Sequence, residues 1–217
     1  MKFELSEEHL MIQKAARDFA QEVLKPGVIE RDEHQKFPAD EIRQMGEMGF
    51  MGMMVSPEYG GGGMDTISYV LAMEEISKVD ASASVAMSVN NSLVCWGLEA
   101  YGTEEQKKKF IPPLLSLEKM ICTGNSEPNA GSNVAAIQTT AVRKGNYYIV
   151  NGTKTWISNA IEGHVCALLV KTDPEAQPRH KGMSMLIVPK IDPETRQPLK
   201  GITNGKKLEK LGYKGID

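Results

Sequence analysis

NYYIVNGTKTWISNA, residues 146–160, is where the pattern of this chain changes. Tyr147, Tyr148, Ile149 and Val150 are aromatic or β-branched, and Asn151-Gly152 follows them directly. An Asn-Gly pair between β-prone residues is a strong short-range hairpin signal, so the stretch predicts a turn at 151–152. Downstream, VCALLVKT and GMSMLIVPK are short apolar runs bounded by Pro, Gly and charge, as expected of strands. The reading from residue 119 to 217 is a small antiparallel β-barrel or sheet.

Upstream the period is helical. Ile12, Ala15, Ala16, Phe19 and Val23 recur at three- and four-residue steps behind a Ser6 cap, and Pro26-Gly27 closes that helix. A second helix is expected from Phe37-Pro38 into the region of Gly46, Gly49 and Gly52. A third runs from Asp65 to Val79, burying Ile67, Val70, Leu71 and Ile76, and a fourth covers about 81–100. Thr103 with Gln106 fits a capping box for one more. The chain therefore divides into an all-α domain, 1–118, and a β domain, 119–217, an α+β fold class. Between the second and third helices, SPEYGGGGMD has four glycines but no following Gly-Lys-Ser/Thr, so it reads as a turn rather than a phosphate loop.

Composition narrows the function classes. A net charge of −3 over 217 residues gives no electrostatic reason to expect nucleic acid or an anionic membrane as partner. Lys107 to Lys109 sit beside Glu104 and Glu105 and read as a solvated helix face. Cys95, Cys122 and Cys166 are odd in number and widely spaced, which argues for a reducing compartment, and the four histidines show no metal-ligand spacing. No stretch approaches the roughly 18 apolar residues of a membrane span, and the acidic amino terminus does not read as a targeting peptide. A bacterial cytoplasmic location is expected, with a mitochondrial matrix as the alternative.

Two polar stretches carry the chemistry. TGNSEPNAGSN, residues 123–133, combines glycines at 124 and 131 with the hydroxyls of Ser126 and Ser132 and a stiffening Pro128. It fits either a β-turn between strands or a loop presenting hydrogen bonds to the edge of a flat heterocycle. KTWISNA, about thirty residues on, sets Trp156 beside Ser158 and Asn159. An isolated Trp near a strand is commonly core, and here it can equally be an apolar plate beside polar groups.

EYGGGGMD, MSVNNSL (87–93), SEPNAGSN and NGTKTWISNA, in that order and closed by KKLEKLGYKGID, resemble the amino-terminal and middle domains of the acyl-CoA dehydrogenase flavoprotein family, closest to its short-chain members. The resemblance implies that Thr123, Gly124, Asn125, Ser126 and Ser132 run along the isoalloxazine of FAD. It implies that Trp156, Ile157 and Ser158 pack on the flavin's other side, and that Ser132 also contacts the acyl-CoA. Residues 87–93, with Val89 among them, would line the acyl end of the substrate pocket. The implied reaction is α,β-dehydrogenation of an acyl-CoA to a trans-2-enoyl-CoA, with electrons passing to an electron-transferring flavoprotein. The catalytic glutamate belongs to the family's carboxyl-terminal four-helix bundle, so the base is expected beyond Asp217 and the chain alone is expected to be inactive. A homotetramer or dimer is expected of the full-length protein. Two alternatives stay open: a scaffold that binds without turnover, and an acyl-CoA oxidase or enoyl-CoA reductase variant. Asn133 stands where the family usually carries aspartate. Thr123 and Asn125 are polar where an aromatic and an aliphatic residue are usual. Glu127 reads as structural, tying down loop amides.

Overall fold

The computed structural model describes residues 4–192, 194–195 and 197–217. They form two compact units, one of the described residues from 4 to 120 with 206–217 and one of those from 121 to 205.

The first unit is helical. Helices α1 (Glu7–Phe19), α2 (Val28–Glu33), α3 (Ala39–Glu47), α4 (Thr66–Ser77), α5 (Ala81–Ser88), α6 (Trp96–Tyr101) and α7 (Glu104–Leu115) follow one another. Their starts are written locally. The Ser6 hydroxyl accepts from the His9 amide at 3.2 Å, Asp65 accepts from the Ser68 amide at 2.8 Å, and Asp80 accepts from the Ala83 amide at 3.0 Å. Thr103 and Gln106 form the expected reciprocal box.

Ala16, Phe19, Ala20 and Leu24 continue one apolar stripe from α1 through a wide π-helical turn, Ala20–Leu24, into a core with Ile42, Met45, Phe50, Met51, Ile76 and Met87. Ile216, 1% exposed, joins the same core, so the last residues of the chain pack with the helices.

Helix α4 turns a different face inward from the one periodicity suggests. Leu71 and Ile76 are buried as expected, but Ile67 and Val70 lie about half exposed while Ser68, Ala72 and Glu75 go inside. Glu75 can be buried because Arg17 grips it with two nitrogens, each at 3.0 Å, and Lys78 adds a third contact at 3.1 Å. The glycine run pairs its backbone with the preceding loop: the Gly62, Gly63 and Met64 amides donate to the Gly52, Val55 and Met53 carbonyls. The expected fourth helix is three segments, α5, a π-helical stretch Val89–Cys95, and α6. Asn90 and Asn91 explain the wide turns. Buried within them, they donate to the carbonyls of Met51 and Leu114, and of Phe50 and Met87.

The second unit is built on a sheet of β1 (Ile121–Gly124), β2 (Thr140–Lys144), β3 (Tyr147–Asn151), β4 (Val165–Lys171) and β5 (Met183–Pro189). The expectation of an antiparallel barrel or sheet is corrected in strand direction, and of its two forms the structure has the open sheet. The sheet is mixed, because β1 and β2 both run parallel to β4, and among the described residues it does not close on itself. Parallel pairing needs a long crossover, and about forty residues separate β1 from β4, a distance over which local sequence signals say nothing of direction. β5 covers one edge of β4 along its whole length; the other edge is shared, β1 pairing Val165 to Leu168 and β2 taking over at Lys171.

The hairpin turn is also corrected. It falls at Gly145-Asn146, joining β2 to β3, with Gly145 at φ 61° as a two-residue hairpin requires. Asn151 is the last residue of β3, and Gly152 serves close approach instead: a Cβ there would lie 2.2 Å from the Thr139 hydroxyl oxygen.

Candidate functional site

The two polar stretches meet at the shared edge of β4. Strand β1 leaves that edge at Gly124 and β2 returns to it at Thr140, so residues 125–139 form an excursion out of the sheet. Its first corner is a tight turn over Pro128-Asn129: the Glu127 amide donates to the Ala130 carbonyl at 2.9 Å, and the Ala130 amide donates back at 3.1 Å. The turn reading and the ligand-loop reading are therefore compatible, since the turn shapes the loop.

Glu127 holds the excursion closed. Its carboxylate, in a residue 7% exposed, accepts from the Gln138 amide at 2.6 Å, the Thr139 amide at 3.0 Å and the Lys154 ammonium at 2.8 Å. Lys154 also donates to the Asn125 carbonyl at 3.0 Å, so the cation holds the start of the loop and the Glu127 carboxylate ties that start to its end. Burial pushes the Glu127 carboxyl up, but the Lys154 ammonium, Thr139 and the Gln138 amide outweigh it and hold the group at about 2. Glu127 is thus ionised near neutrality, with no proton to give and too weak a base to take one readily, which agrees with a structural role.

The second stretch is clamped to the first. The Thr155 amide donates to the Ser126 carbonyl at 2.9 Å. Immediately after, Trp156 adopts φ 57°, and its residue is 73% exposed. A bulky side chain in the left-handed region costs about 1–3 kcal/mol, and no core burial offsets that here. The indole is therefore not core; it is held outward as an apolar plate. Ile157 and Ser158 are half-buried, and Asn159, at φ 64°, is buried. The turn that follows is fastened by the Ala160 amide on the Ile157 carbonyl and the Gly163 amide on the Asn159 carbonyl. The buried Lys190 ammonium reaches the Ala160 carbonyl and, at 3.1 Å, that of Gly163.

The structure brings Thr123, Gly124, Asn125, Ser126, Ser132, Trp156, Ile157 and Ser158 into one unit. Val89 lies in the helical unit, 9% exposed in the π-helical stretch. The hydroxyls of Ser126, Ser132 and Ser158 make no hydrogen bond among the described residues, and the buried oxygens Thr123 Oγ1 and Asn159 Oδ1 have no partner. Buried polar oxygens without partners are uncommon in folded proteins. Together with an outward indole and unpaired hydroxyls, they fit a flat, polar-edged cofactor such as a flavin. Gly131 faces open space.

Lys154 and Lys190 escape a motif-based reading. A signal for Lys154 does exist in the sequence. Glu127 is the lone charge between Lys119 and Arg143, and Lys154 the lone charge between Lys144 and Glu162. Opposite charges isolated in neutral, partly apolar stretches are natural candidates for a buried pair.

Comparison with known proteins adds three findings. Residues 6–118 match the family model for the acyl-CoA dehydrogenase N-terminal domain, and residues 122–217 match that for the middle domain. The human mitochondrial short-chain specific acyl-CoA dehydrogenase is 41% identical over 212 residues, covering 98% of this chain and 49% of that protein. Among solved structures, butyryl-CoA dehydrogenase from Megasphaera elsdenii aligns with a TM-score of 0.89 at 32% identity, over 100% of this chain and 55% of that one. A glutaryl-CoA dehydrogenase from Mycobacterium smegmatis in complex with FADH2 aligns with a TM-score of 0.87 at 31% identity, over 98% and 51%. The chain spans about half the length of the curated relatives it matches.

Proposed function

The chain belongs to the acyl-CoA dehydrogenase family, and we propose that the whole protein oxidises a short-chain acyl-CoA to the trans-2-enoyl-CoA and passes electrons to an electron-transferring flavoprotein. FAD, when bound, supplies the acceptor for the β-hydride of the substrate. The observation that carries the reading is the clamp between the two polar stretches, the Thr155–Ser126 bond and the Glu127–Lys154 pair, which makes one wall of residues far apart in sequence. On that wall Ser126 and Ser158 offer hydroxyl donors at fixed positions. Donors set in place before the reaction stabilise negative charge without reorganising, which is where such sites gain most of their effect. Trp156 offers an apolar plate that excludes water from one side. Ser132, exposed midway along the excursion, is the proposed contact to acyl-CoA in this unit, and Val89 the proposed chain-length contact in the helical unit.

The base is proposed to lie in the half of the relatives' length that this chain does not span. Glu127, held ionised and occupied by three donors, does not serve. The test is to express the parent protein to its natural stop codon and measure bound flavin by absorbance and butyryl-CoA-dependent dye reduction. Yellow protein that turns over butyryl-CoA, and loses most of its flavin in Ser158→Ala, is the expected result. Colourless protein without turnover would end this reading.

A further inference from the structure

Two of the three cysteines face each other across the sheet. In the parallel pairing of β1 with β4, Cys122 is the register partner of Cys166, and both are reduced. Neighbouring strands stand about 4.8 Å apart, within the roughly 4.4–6.8 Å between Cα atoms that a disulfide spans. Cys122 is 1% exposed, whereas Cys166 is only half-buried, so Cys166 is the more open residue of the pair. Gly124, two residues along β1, leaves the space that Cys166 uses: a Cβ at Gly124 would lie 3.2 Å from the Cys166 sulfur.

We propose that Cys122 and Cys166 form a dithiol pair that a hydroperoxide closes to an intramolecular disulfide, at the root of the 125–139 excursion. The Cys166 thiolate attacks one peroxide oxygen, an S–O bond forms, the O–O bond breaks, and water leaves after protonation. The Cys122 sulfur then attacks the Cys166 sulfenic acid, an S–S bond forms, the S–O bond breaks, and a second water leaves. Two thiols and one hydrogen peroxide thus give one disulfide and two waters; both sulfurs are oxidised and the peroxide is reduced.

The surroundings support the assignment of Cys166 as the attacking group. The Cys122 thiol, the Gly124 amide and the positive charges of Lys190 and Lys154 hold its thiol below the ordinary value, although burial opposes them. Cys95 is an internal control, since burial pushes its thiol up to about 12 and leaves it inert. The pair is independent of flavin and of turnover, so it stands or falls apart from the proposed activity.

The test treats the 217-residue chain with hydrogen peroxide, alkylates the remaining thiols after unfolding in denaturant, digests with trypsin and analyses the peptides by mass spectrometry. The expected product is residues 120–143 linked to residues 155–171 with two hydrogens lost, reversed by dithiothreitol, with Cys95 alkylated throughout. Cys122→Ser should instead accumulate a sulfenic acid on Cys166 that dimedone traps. The proposal is overturned if Cys122 stays alkylatable while Cys166 advances to sulfinic acid. It is equally overturned if both stay alkylatable while exposed methionines oxidise, or if the only links are between separate chains.

Discussion

Glu127→Gln tests the clamp that the functional reading rests on. The substitution keeps the size of the side chain and removes its charge, leaving Lys154 buried beside a neutral amide. The Glu127 carboxyl falls from 4.5 to about 2 in the folded chain. At about 1.4 kcal/mol per unit this difference is worth at most ~3 kcal/mol, and screening by nearby solvent leaves about 2 kcal/mol. Because the folded value is depressed, the stabilisation is fully present above pH ~4.5 and disappears as pH falls towards ~2. The readout is hydrogen exchange at the Gln138 and Thr139 amides, which donate to this carboxylate and report its local opening directly. At neutral pH the variant should exchange them roughly thirtyfold faster than the parent, since each ~1.4 kcal/mol is a factor of ten. Only towards and below pH ~2 should free-energy differences measured by denaturant converge, because the parent carboxyl is largely protonated only there. Equal exchange in both proteins at neutral pH, or a difference that does not shrink with acid, would refute the claim that a buried ion pair holds the excursion.

Other substitutions separate fold from site. Trp156→Ala should leave stability within about 0.5 kcal/mol, the indole being exposed. The same change should lower flavin retention by the full-length protein at least about tenfold; a large melting shift with flavin retained would show the indole to be structural. Glu75→Gln should destabilise the helical unit by about 2 kcal/mol, since Arg17 and Lys78 lose their buried partner, and thermal melts at neutral pH check it. Asn90→Leu should cost about 2–3 kcal/mol in the same melts by stranding the Met51 and Leu114 carbonyls. Gly152→Ala should destabilise the sheet unit by at least about 2 kcal/mol, because the added methyl lands on Thr139.

What the sequence discloses depends on the range of the interaction. Ser6, Asp65 and Thr103 act within one helical turn, and their caps are readable from spacing alone. Helix α2 is missed because six residues after Pro26-Gly27 contain no apolar period; its anchor is tertiary, Arg31 paired with Asp80 at 2.9 Å and with Glu41 at 2.6 Å. The inward face of α4 fails for the same reason, since hydropathy places Glu75 outside while Arg17, from another helix, makes the inside tolerable. Asn151-Gly152 misleads because the same dipeptide serves two purposes, a left-handed turn and a gap for a neighbouring side chain. Only Thr139, packed against Gly152, decides between them.

The site residues divide along the same line. Ser126, Ser132, Trp156 and Ser158 are visible as motif members, but a motif does not say why such polar, strained positions persist. The reason lies in the sheet. β4 has one edge that two strands share, and β1 must leave before β2 can arrive, so the chain between them is forced outward. An excursion of that length costs conformational entropy unless pinned; the Lys154 ammonium holds its start at Asn125 and Glu127, and the Glu127 carboxylate joins that start to Gln138 and Thr139 at its end. Once the loop is fixed, the Thr155 amide can dock on Ser126, and the strained Trp156 is carried outward as a consequence. Breaking the pin should therefore loosen Trp156 and Ser158 as well as 125–139, although neither touches Glu127. Exchange in Glu127→Gln at the Thr155 and Ala160 amides, which are bonded to the Ser126 and Ile157 carbonyls on either side of Trp156 and Ser158, measures that coupling. Acceleration at Gln138 and Thr139 with none at Thr155 and Ala160 would mean that the two stretches are neighbours but not a single wall.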